Sequence, residues 1–252
     1  MKKQALIVGG MLLVMSIFAV ETRAQDAEAI VKKADQKFRG ESSQGTMRMN
    51  IIRPNWSRAI EMKSWSLGSE YSMILITAPA KEKGQAFLKR QNEMWHWMPS
   101  IERMIKIPPS MMMQSWMGSD FTNDDLVQES SIVSDYHKKV TGTETIAGIE
   151  CHKIKLSPKE DAAVVWGEIV IWISKEEYYQ LKAEYFDDFG DLVQTMTASD
   201  IRTFDDRKLP AKMSITPNDK SGHQTTLEFV EMDFNVNISE SFFSQQRMKR
   251  LR

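Results

Sequence analysis

Basic and acidic side chains are almost balanced in this chain, whose 252 residues carry 33 Lys and Arg against 34 Asp and Glu, a net charge of −1. This balance gives no support to nucleic-acid binding, which needs a concentrated basic surface. Cys151 is the only cysteine, so an internal disulfide is excluded. Its place in an apolar, alternating stretch favours a buried structural thiol.

The first 24 residues have the pattern of a secretory signal peptide. Lys2 and Lys3 form the positive start, positions 5–20 form the apolar stretch, and Thr22-Arg23-Ala24 is a small-x-small cleavage site. A transmembrane anchor is the alternative, but this apolar stretch is shorter than the ~20 residues that a spanning helix needs. The sequence therefore predicts a periplasmic protein with a single domain over residues 25–252.

An amphipathic helix opens this domain, and strands follow it to the end of the chain. The helix covers residues 26–38, with Gly40 as its expected C-cap. Alternating residues bounded by turn residues then predict about a dozen antiparallel strands and at most three helices. The predicted strands are 46–51, 57–67, 70–77, 85–90, 94–98, 103–107, 131–140, 150–156, 164–173, 179–187, 192–203, 209–215 and 223–234.

Several of these strands are apolar on both faces, as strand 164–173 illustrates. Ile169 and Ile171 belong to one of its faces, and Trp166 and Trp172 to the other. A half-exposed sheet has one polar face, so two apolar faces predict a cover of helices or a bound apolar ligand. Other strands are one-sided. This mixture favours a curved sheet around one cavity, with a two-sheet sandwich as the alternative.

A Met-rich segment over residues 108–121, here called the flap, follows the strand at 103–107. Pro108-Pro109 ends that strand, because proline can neither complete a ladder nor sit inside a helix. Five large apolar residues then fall within seven positions and must lie against something; they are Met111, Met112, Met113, Trp116 and Met117. The flap is either a lid that adapts to varied apolar partners or a plug of the core.

The flap leads into the start of a helix with unusually complete signals. Thr122 is the expected N-cap, and Asp125 completes a capping box with it. Phe121 and Leu126 are placed to form a hydrophobic staple across the same turn. The sequence therefore predicts a flap that is held at both of its ends.

The motifs around the flap resemble the outer-membrane lipoprotein-sorting family related to LolA, in the branch associated with exporters of the resistance-nodulation-division class. The matching motifs are Trp95-x-Trp97-x-Pro99, Arg103, Met117-Gly118-Ser119-Asp120-Phe121 and Asp125-Leu126. The resemblance implies a mainly β (α+β) fold. Its expected form is a twisted, incomplete antiparallel β-barrel of about 11–12 strands with a few helices forming a lid or plug.

Residue patterns typical of an enzyme, a cofactor site or a metal site are missing from the sequence. Cys151 and His152 are neighbours on a strand and therefore point to opposite faces. No nucleophile elbow, phosphate loop or dinucleotide fingerprint occurs. Asp120, Asp124 and Asp125 could suggest a metal site, but helix capping explains them more simply. We therefore expect a non-enzymatic protein without a metal or cofactor.

These features lead to the hypothesis of a periplasmic carrier for the acyl chains of a lipid or lipoprotein, moving them toward the outer membrane, with an inner-membrane exporter as a candidate partner. An acyl chain that leaves a membrane needs a dry cavity, because each CH₂ exposed to water costs ~0.8 kcal/mol. The residues expected at the mouth or lining of that cavity are Trp95, Trp97, Met111, Met112, Met113, Trp116 and Met117. Arg103 is expected to tie the flap shut or to meet a polar group of the cargo, with an ordinary ion pair at the surface as the alternative.

Two other functions stay open at this stage. The first is a periplasmic lipid or lipoprotein sensor, an adaptor that acts through a membrane protein partner. The second is a structural accessory of an exporter, whose cavity would be filled by its own side chains. The basic segment 247–252 predicts either transient contact with anionic lipid or a solvated tail.

Overall fold

The computed structural model describes residues 15–91, 93–127, 131–160, 162 and 164–251, with side chains from residue 27 onward except at positions 109, 126, 127 and 131. The predicted signal peptide therefore lies largely outside the described residues, and the Leu126 half of the predicted staple lies outside the described side chains.

No helix in the described part of the chain combines the length and the apolar character that crossing a membrane requires.

Thirteen strands form a single antiparallel sheet within the described residues. The strands are β1 (Ser42–Arg53), β2 (Trp56–Leu67), β3 (Tyr71–Ala78), β4 (Ala86–Arg90), β5 (Glu93–Met98), β6 (Arg103–Ile107), β7 (Tyr136–Ile146), β8 (Ile149–Pro158), β9 (Glu168–Ser174), β10 (Gln180–Phe186), β11 (Leu192–Phe204), β12 (Arg207–Pro217) and β13 (Gln224–Phe234). Their order is β6-β5-β4-β3-β2-β1-β13-β12-β11-β10-β9-β8-β7. The sheet curls but does not close, since β6 and β7 remain its two ends. The predicted incomplete antiparallel barrel is thus confirmed, with 13 strands instead of 11–12.

Helices are few and mostly short. The α-helices are α1 (Met15–Arg39), α2 (Asn123–Val127), α3 (Ser131–Ser134) and α4 (Gln245–Arg250), and single 3-10 turns lie at Pro99–Ile101, Pro109–Met111, Trp116–Gly118 and Glu240–Phe242. Helix α1 starts earlier than predicted and buries Ala27, Ile30, Val31 and Ala34 in the core. It ends where Gly40, at φ +67°, donates its N–H to Gln36 O at 2.9 Å, which confirms the predicted C-cap.

Both faces of the sheet carry buried side chains, which are covered by different elements. The inner face packs on α1 and carries the main hydrophobic core. The outer face of β3 and β4 carries a second, smaller cluster, in which Met73 and Leu88 pack with Phe243 and Met248 of the C-terminal segment. The last residues thus form a docked helix up to Arg250, with Met248 fully buried, where a solvated tail was one of the two expectations.

Strand β9 shows how a second apolar face is covered without a helix. Trp172 is 1% exposed and donates its indole N–H to Glu144 Oε2 at 3.0 Å. Lys153 and Lys182, on the neighbouring strands, place their ammonium groups 4.9 and 4.4 Å from its ring. The lysine stems therefore cover the outer side of this strand.

Two predicted strand ranges were wrong at their starts. The range 131–140 begins with helix α3, and β7 starts only at Tyr136. The buried Lys138 ammonium donates to Val133 O at 2.6 Å and to Tyr136 O at 3.0 Å, which ends the helix and fixes the turn into the strand. The range 164–173 likewise begins too early, because β9 starts at Glu168.

Candidate functional site

Two adjoining cavities lie on the inner face, beneath α1 and the flap. The main cavity, about 150 Å³, is lined by apolar side chains that include Val31 and Phe38 of α1, Ile169 and Ile171 of β9, Met196 and Ala198 of β11, and Ile215 of β12. The second cavity, about 140 Å³, lies against β1, β2 and β3. Five residues line both of them, namely Phe38, Arg39, Phe121, Asp125 and Met213. The two spaces are therefore neighbours with a shared wall.

The size of the main cavity indicates what fits while the cover is in place. An engineered apolar cavity of about 150 Å³ binds benzene, so the space holds a small apolar group or a few carbons of a chain. A longer chain requires the flap or α1 to move. The cavity wall is apolar along β9, because isoleucine side chains on alternate positions of this strand point to the same face.

A buried ion pair anchors the flap to the sheet. Arg53, at the end of β1, donates from Nη1 to Asp120 Oδ2 at 2.9 Å and from Nη2 to Gly118 O at 2.9 Å. The Arg53 and Asp120 side chains are only 9% and 6% exposed. Thr225 of β13 donates its hydroxyl to the same Asp120 oxygen at 2.6 Å and accepts from the Asp120 N–H at 3.0 Å. The Gly-Ser-Asp motif is thus fixed to the middle of the sheet.

A second arginine of the β1–β2 hairpin, Arg58, holds Met117, the flap residue before Gly118. Arg58 of β2 donates from Nη2 to Met117 O, and its guanidinium lies 3.6 Å from the Glu82 carboxylate. Sequence reasoning missed both Arg53 and Arg58. The usable signal was Asp120, the single charged residue of the flap, which needed a cationic partner once it was buried.

One role predicted for Arg103 was to tie the flap shut. In this structure Arg103 makes no hydrogen bond or ion pair with the described part of the flap. It is exposed on the edge strand β6, and its guanidinium makes no ion pair or hydrogen bond with any residue that the structure describes. In this structure Arg53 and Arg58 hold the flap instead. A contact between Arg103 and a cargo group stays a prediction.

The flap methionines and Trp116 occupy the core in this structure. Met112 and Trp116 are 9% and 1% exposed, and the Trp116 ring lies 5.1 Å from that of Phe87. Met111 and Met117 pack against the same core, and Met113 is half exposed. As far as the cavity walls are described, these five residues are absent from them, and Phe121 is the flap residue that reaches both cavities. This is the plug arrangement of the two that the sequence left open.

Trp95 and Trp97 lie on the other side of the sheet from the flap. Both are packed in the outer cluster, and the Lys249 ammonium of α4 lies 5.3 Å from the Trp97 ring. Their neighbours Met94 and His96 face inward, with the His96 ring stacked on Phe87 at 4.2 Å. The two tryptophans were expected at the cavity, and neither of them lines the walls that the structure describes.

The turn after the flap matches the predicted capping box. Thr122 accepts the Asp125 N–H on its hydroxyl at 3.0 Å, and Asp125 accepts the Thr122 N–H on its carboxylate at 2.7 Å. These two hydrogen bonds satisfy N–H groups that the start of a helix leaves without partners. They also fix Asp124 and Asp125 in the wall of the main cavity.

Burial shifts the pKa values of the groups around this wall. It raises the pKa of Asp124 to about 6, with the charge of Asp125 adding to the effect, and it also raises the pKa of Asp125. Burial raises the pKa of the Tyr136 hydroxyl on the same wall, and lowers that of His96 to about 4. The Asp124 carboxyl, beside the main cavity, therefore changes its charge near pH 6.

Asp124→Asn is expected to stabilise the protein by about 1–2 kcal/mol at about pH 7.5 and to leave it unchanged near pH 4. A raised pKa means that the folded state binds the proton more tightly than the unfolded state. The contribution of Asp124 to stability is therefore most favourable below the ordinary pKa of 3.8 and is lost as the pH rises to about 6. Urea unfolding at several pH values measures this effect, and parallel pH profiles of the two proteins would contradict it.

The described residues contain neither a cluster able to hold a metal ion nor an exposed thiol. Among the described residues, no cluster of three or more His, Cys, Asp or Glu side chains is placed to hold a metal ion. Cys151 is fully buried, as predicted, and burial raises the pKa of its thiol. A raised pKa keeps the thiol protonated and poorly reactive at neutral pH.

Comparisons with known proteins identify a family and a fold. Residues 68–250 match the model of a family described as an uncharacterized protein family. No curated protein matches the chain. A domain from Vibrio parahaemolyticus that is named for outer membrane lipoprotein sorting has a TM-score of 0.80 at 24% identity, over 90% of this chain and 100% of its own.

Two further crystal structures agree with this result. A DUF1329 family protein from Desulfovibrio piger has a TM-score of 0.80 at 22% identity, over 90% of this chain and 99% of its own. A LolA superfamily protein from Nitrosomonas europaea has a TM-score of 0.75 at 23% identity, over 87% and 98%. At these identities the likeness shows the fold, which is the open, LolA-like barrel that the resemblance implied.

Proposed function

Because this chain belongs to that family of uncharacterized proteins and has the fold of the LolA superfamily, we propose that it is a periplasmic carrier of acyl chains. In this proposal the main cavity binds a chain of a lipid or lipoprotein, and the protein takes it toward the outer membrane. The name of the Vibrio domain points to the same class of cargo. An inner-membrane exporter as the donor rests on the sequence resemblance alone, and periplasmic location rests on the signal-peptide pattern.

The observation that carries the proposal is an apolar space that the protein's own side chains leave unfilled. The main cavity lies between α1 and five strands, and five isoleucines belong to its wall. Transfer of a CH₂ group from water to such a wall is worth ~0.8 kcal/mol, so even a few carbons gain substantial binding free energy. A purely structural accessory would have no use for this space.

The construction of the cover supports reversible binding. The flap and α1 are separate segments, and the flap is fixed by a few polar contacts of Arg53, Arg58 and Thr225. An opening of the flap would break these contacts, take its apolar side chains out of the core and widen the cavity. A partner or membrane that favours the open state would then release the cargo, because a ligand shifts an equilibrium by its differential affinity.

Titration of the delipidated mature protein with a fluorescent long-chain fatty acid tests this proposal. We expect saturable binding of about one chain per protein, with energy transfer from Trp166, whose side chain lines the main cavity. A titration without saturable binding would contradict a carrier. It would favour the accessory function, in which no cargo enters.

A further inference from the structure

A polar row crosses the inner face of four neighbouring strands. Ser43 of β1 lies opposite Ser66 of β2, Ser66 lies opposite Ser72 of β3, and Ser72 lies opposite Lys89 of β4. Residues directly opposite in antiparallel strands share a face of the sheet. All four side chains line the second cavity. Part of the wall of this cavity is therefore a row of three serine hydroxyls that ends at a lysine.

Lys89 is buried, the three serines are partly buried, and hydrogen bonds hold Lys89, Ser43 and Ser66 in place. Lys89 is only 8% exposed, and its ammonium donates to Ser69 O, in the turn between β2 and β3, at 2.7 Å. The Ser43 and Ser66 hydroxyls lie 2.7 Å apart. Burial of a lysine is costly unless polar groups surround it. The fold thus maintains a cationic, hydroxyl-rich wall that the binding of an acyl chain does not need.

Much of the rest of the second cavity is apolar, and this cavity adjoins the main cavity. Its other walls include Met47, Met62, Ile74, Leu227 and Phe229. Phe38 and Phe121 stand between the two spaces and line both. An amphiphile with its chain in the main cavity would therefore have its headgroup within reach of the polar row.

The charges around the row favour an anionic headgroup. Lys89 contributes a positive charge, and Arg39, which also lines the second cavity, is paired with Asp35 at 2.9 Å. Asp125 is the acidic side chain of this cavity wall, and burial raises its pKa, which favours its neutral form. The charge of Lys89 acts to lower the pKa of Asp124 in the main cavity, but burial outweighs it and raises that pKa to about 6. The Asp124 carboxylate is therefore ionised at neutral pH and offsets part of the positive charge of Lys89.

We propose that the second cavity is a headgroup site, in which Lys89 and the serine row bind the phosphate or carboxylate of an acyl-chain amphiphile. This inference rests on the proposed function, since the chain has to enter the main cavity first. Phosphate and carboxylate share the required chemistry, namely oxygens that accept charge-assisted hydrogen bonds from an ammonium and hydroxyls.

Binding of three ligands with the same acyl chain tests the proposal. The ligands are a lysophosphatidic acid, the free fatty acid and an uncharged monoacylglycerol. We expect the wild-type protein to bind at least one anionic ligand about tenfold more tightly than the monoacylglycerol. The ratio of the two anionic affinities distinguishes phosphate from carboxylate. Equal affinity for all three would overturn the headgroup site and leave the carrier intact, whereas binding of none would overturn the carrier itself.

The Lys89→Met variant identifies the group responsible. It should lose the preference for the anionic ligand and keep the affinity for the monoacylglycerol. Lys63→Met, which removes an exposed lysine from the outer face of β2, is the matched control and should behave as the wild type. A Lys89→Met protein that keeps the tenfold preference would contradict the proposal.

A second variant covers the case in which Lys89→Met does not fold. Ser66→Ala combined with Ser72→Ala removes two hydroxyls and leaves the lysine in place. We expect a loss of about threefold or more in the affinity for the anionic ligand, with the monoacylglycerol unaffected. Unchanged affinity for both ligands would exclude the serine row from headgroup binding.

Discussion

Asp120→Ala is expected to lower the free energy of unfolding by about 3–5 kcal/mol. The substitution leaves the Arg53 guanidinium, whose side chain is 9% exposed, without the carboxylate that neutralises it. It also removes the acceptor of the Thr225 hydroxyl. A buried charge that loses its partner is among the few changes with so large an effect. Urea unfolding followed by tryptophan fluorescence measures this loss.

Glu61→Ala provides the matched control for Asp120→Ala. It breaks an ion pair of similar length, between Arg48 Nη2 and Glu61 Oε1 at 2.9 Å, in which both side chains are almost half exposed. Exposed pairs contribute about 0–1 kcal/mol, so little change is expected. Similar losses for the two variants would show that burial of the Arg53–Asp120 pair is unimportant.

Ala198→Phe is expected to lower the affinity for a long-chain fatty acid by at least about tenfold, which corresponds to ~1.4 kcal/mol. Ala198 lies in the wall of the main cavity, so a phenyl ring at this position takes up space that a chain would use. The cavity of about 150 Å³ gives the ring room, which keeps the stability cost at the low end of the ~1–3 kcal/mol for added core volume. The fluorescent fatty-acid titration measures the change.

Thr197→Phe is the control for this effect. Thr197 precedes Ala198 on β11 and is exposed, so its side chain points to the opposite face of the sheet. The same ring added there should leave fatty-acid affinity unchanged. If both variants lost affinity equally, the chain would have to bind elsewhere or the loss would reflect general damage.

Local patterns in the sequence were sufficient for the strands and for the turn after the flap. Strand β6 has the predicted bounds, and the Thr122–Asp125 capping box forms as predicted, because both depend on neighbours within a few residues. The range 131–140 was misassigned although the contact that decides its structure is also local. Ile132 and Val133 look like strand residues, yet Lys138 caps a short helix there from inside the core.

The positions of the site residues depend on contacts that are distant in sequence. Strand β5 is apolar on both faces, so its alternation could not show that Trp95 and Trp97 face α4. That face is set by a helix about 150 residues further along the chain. Arg53 and Asp120 are likewise far apart in sequence, and only the fold brings a hairpin arginine to a flap carboxylate.

The most direct test of the central claim is to find where a bound chain lies. Photolabelling with a fatty acid that carries a diazirine near the end of its chain, followed by peptide mapping, gives that position. We predict adducts on β9, β11 and β12, at or beside Ile171, Ala198 and Ile215, and their loss in Ala198→Phe. Adducts concentrated on Trp95 and Trp97 at the outer face, or labelling that Ala198→Phe leaves unchanged, would contradict an acyl-chain site in the main cavity.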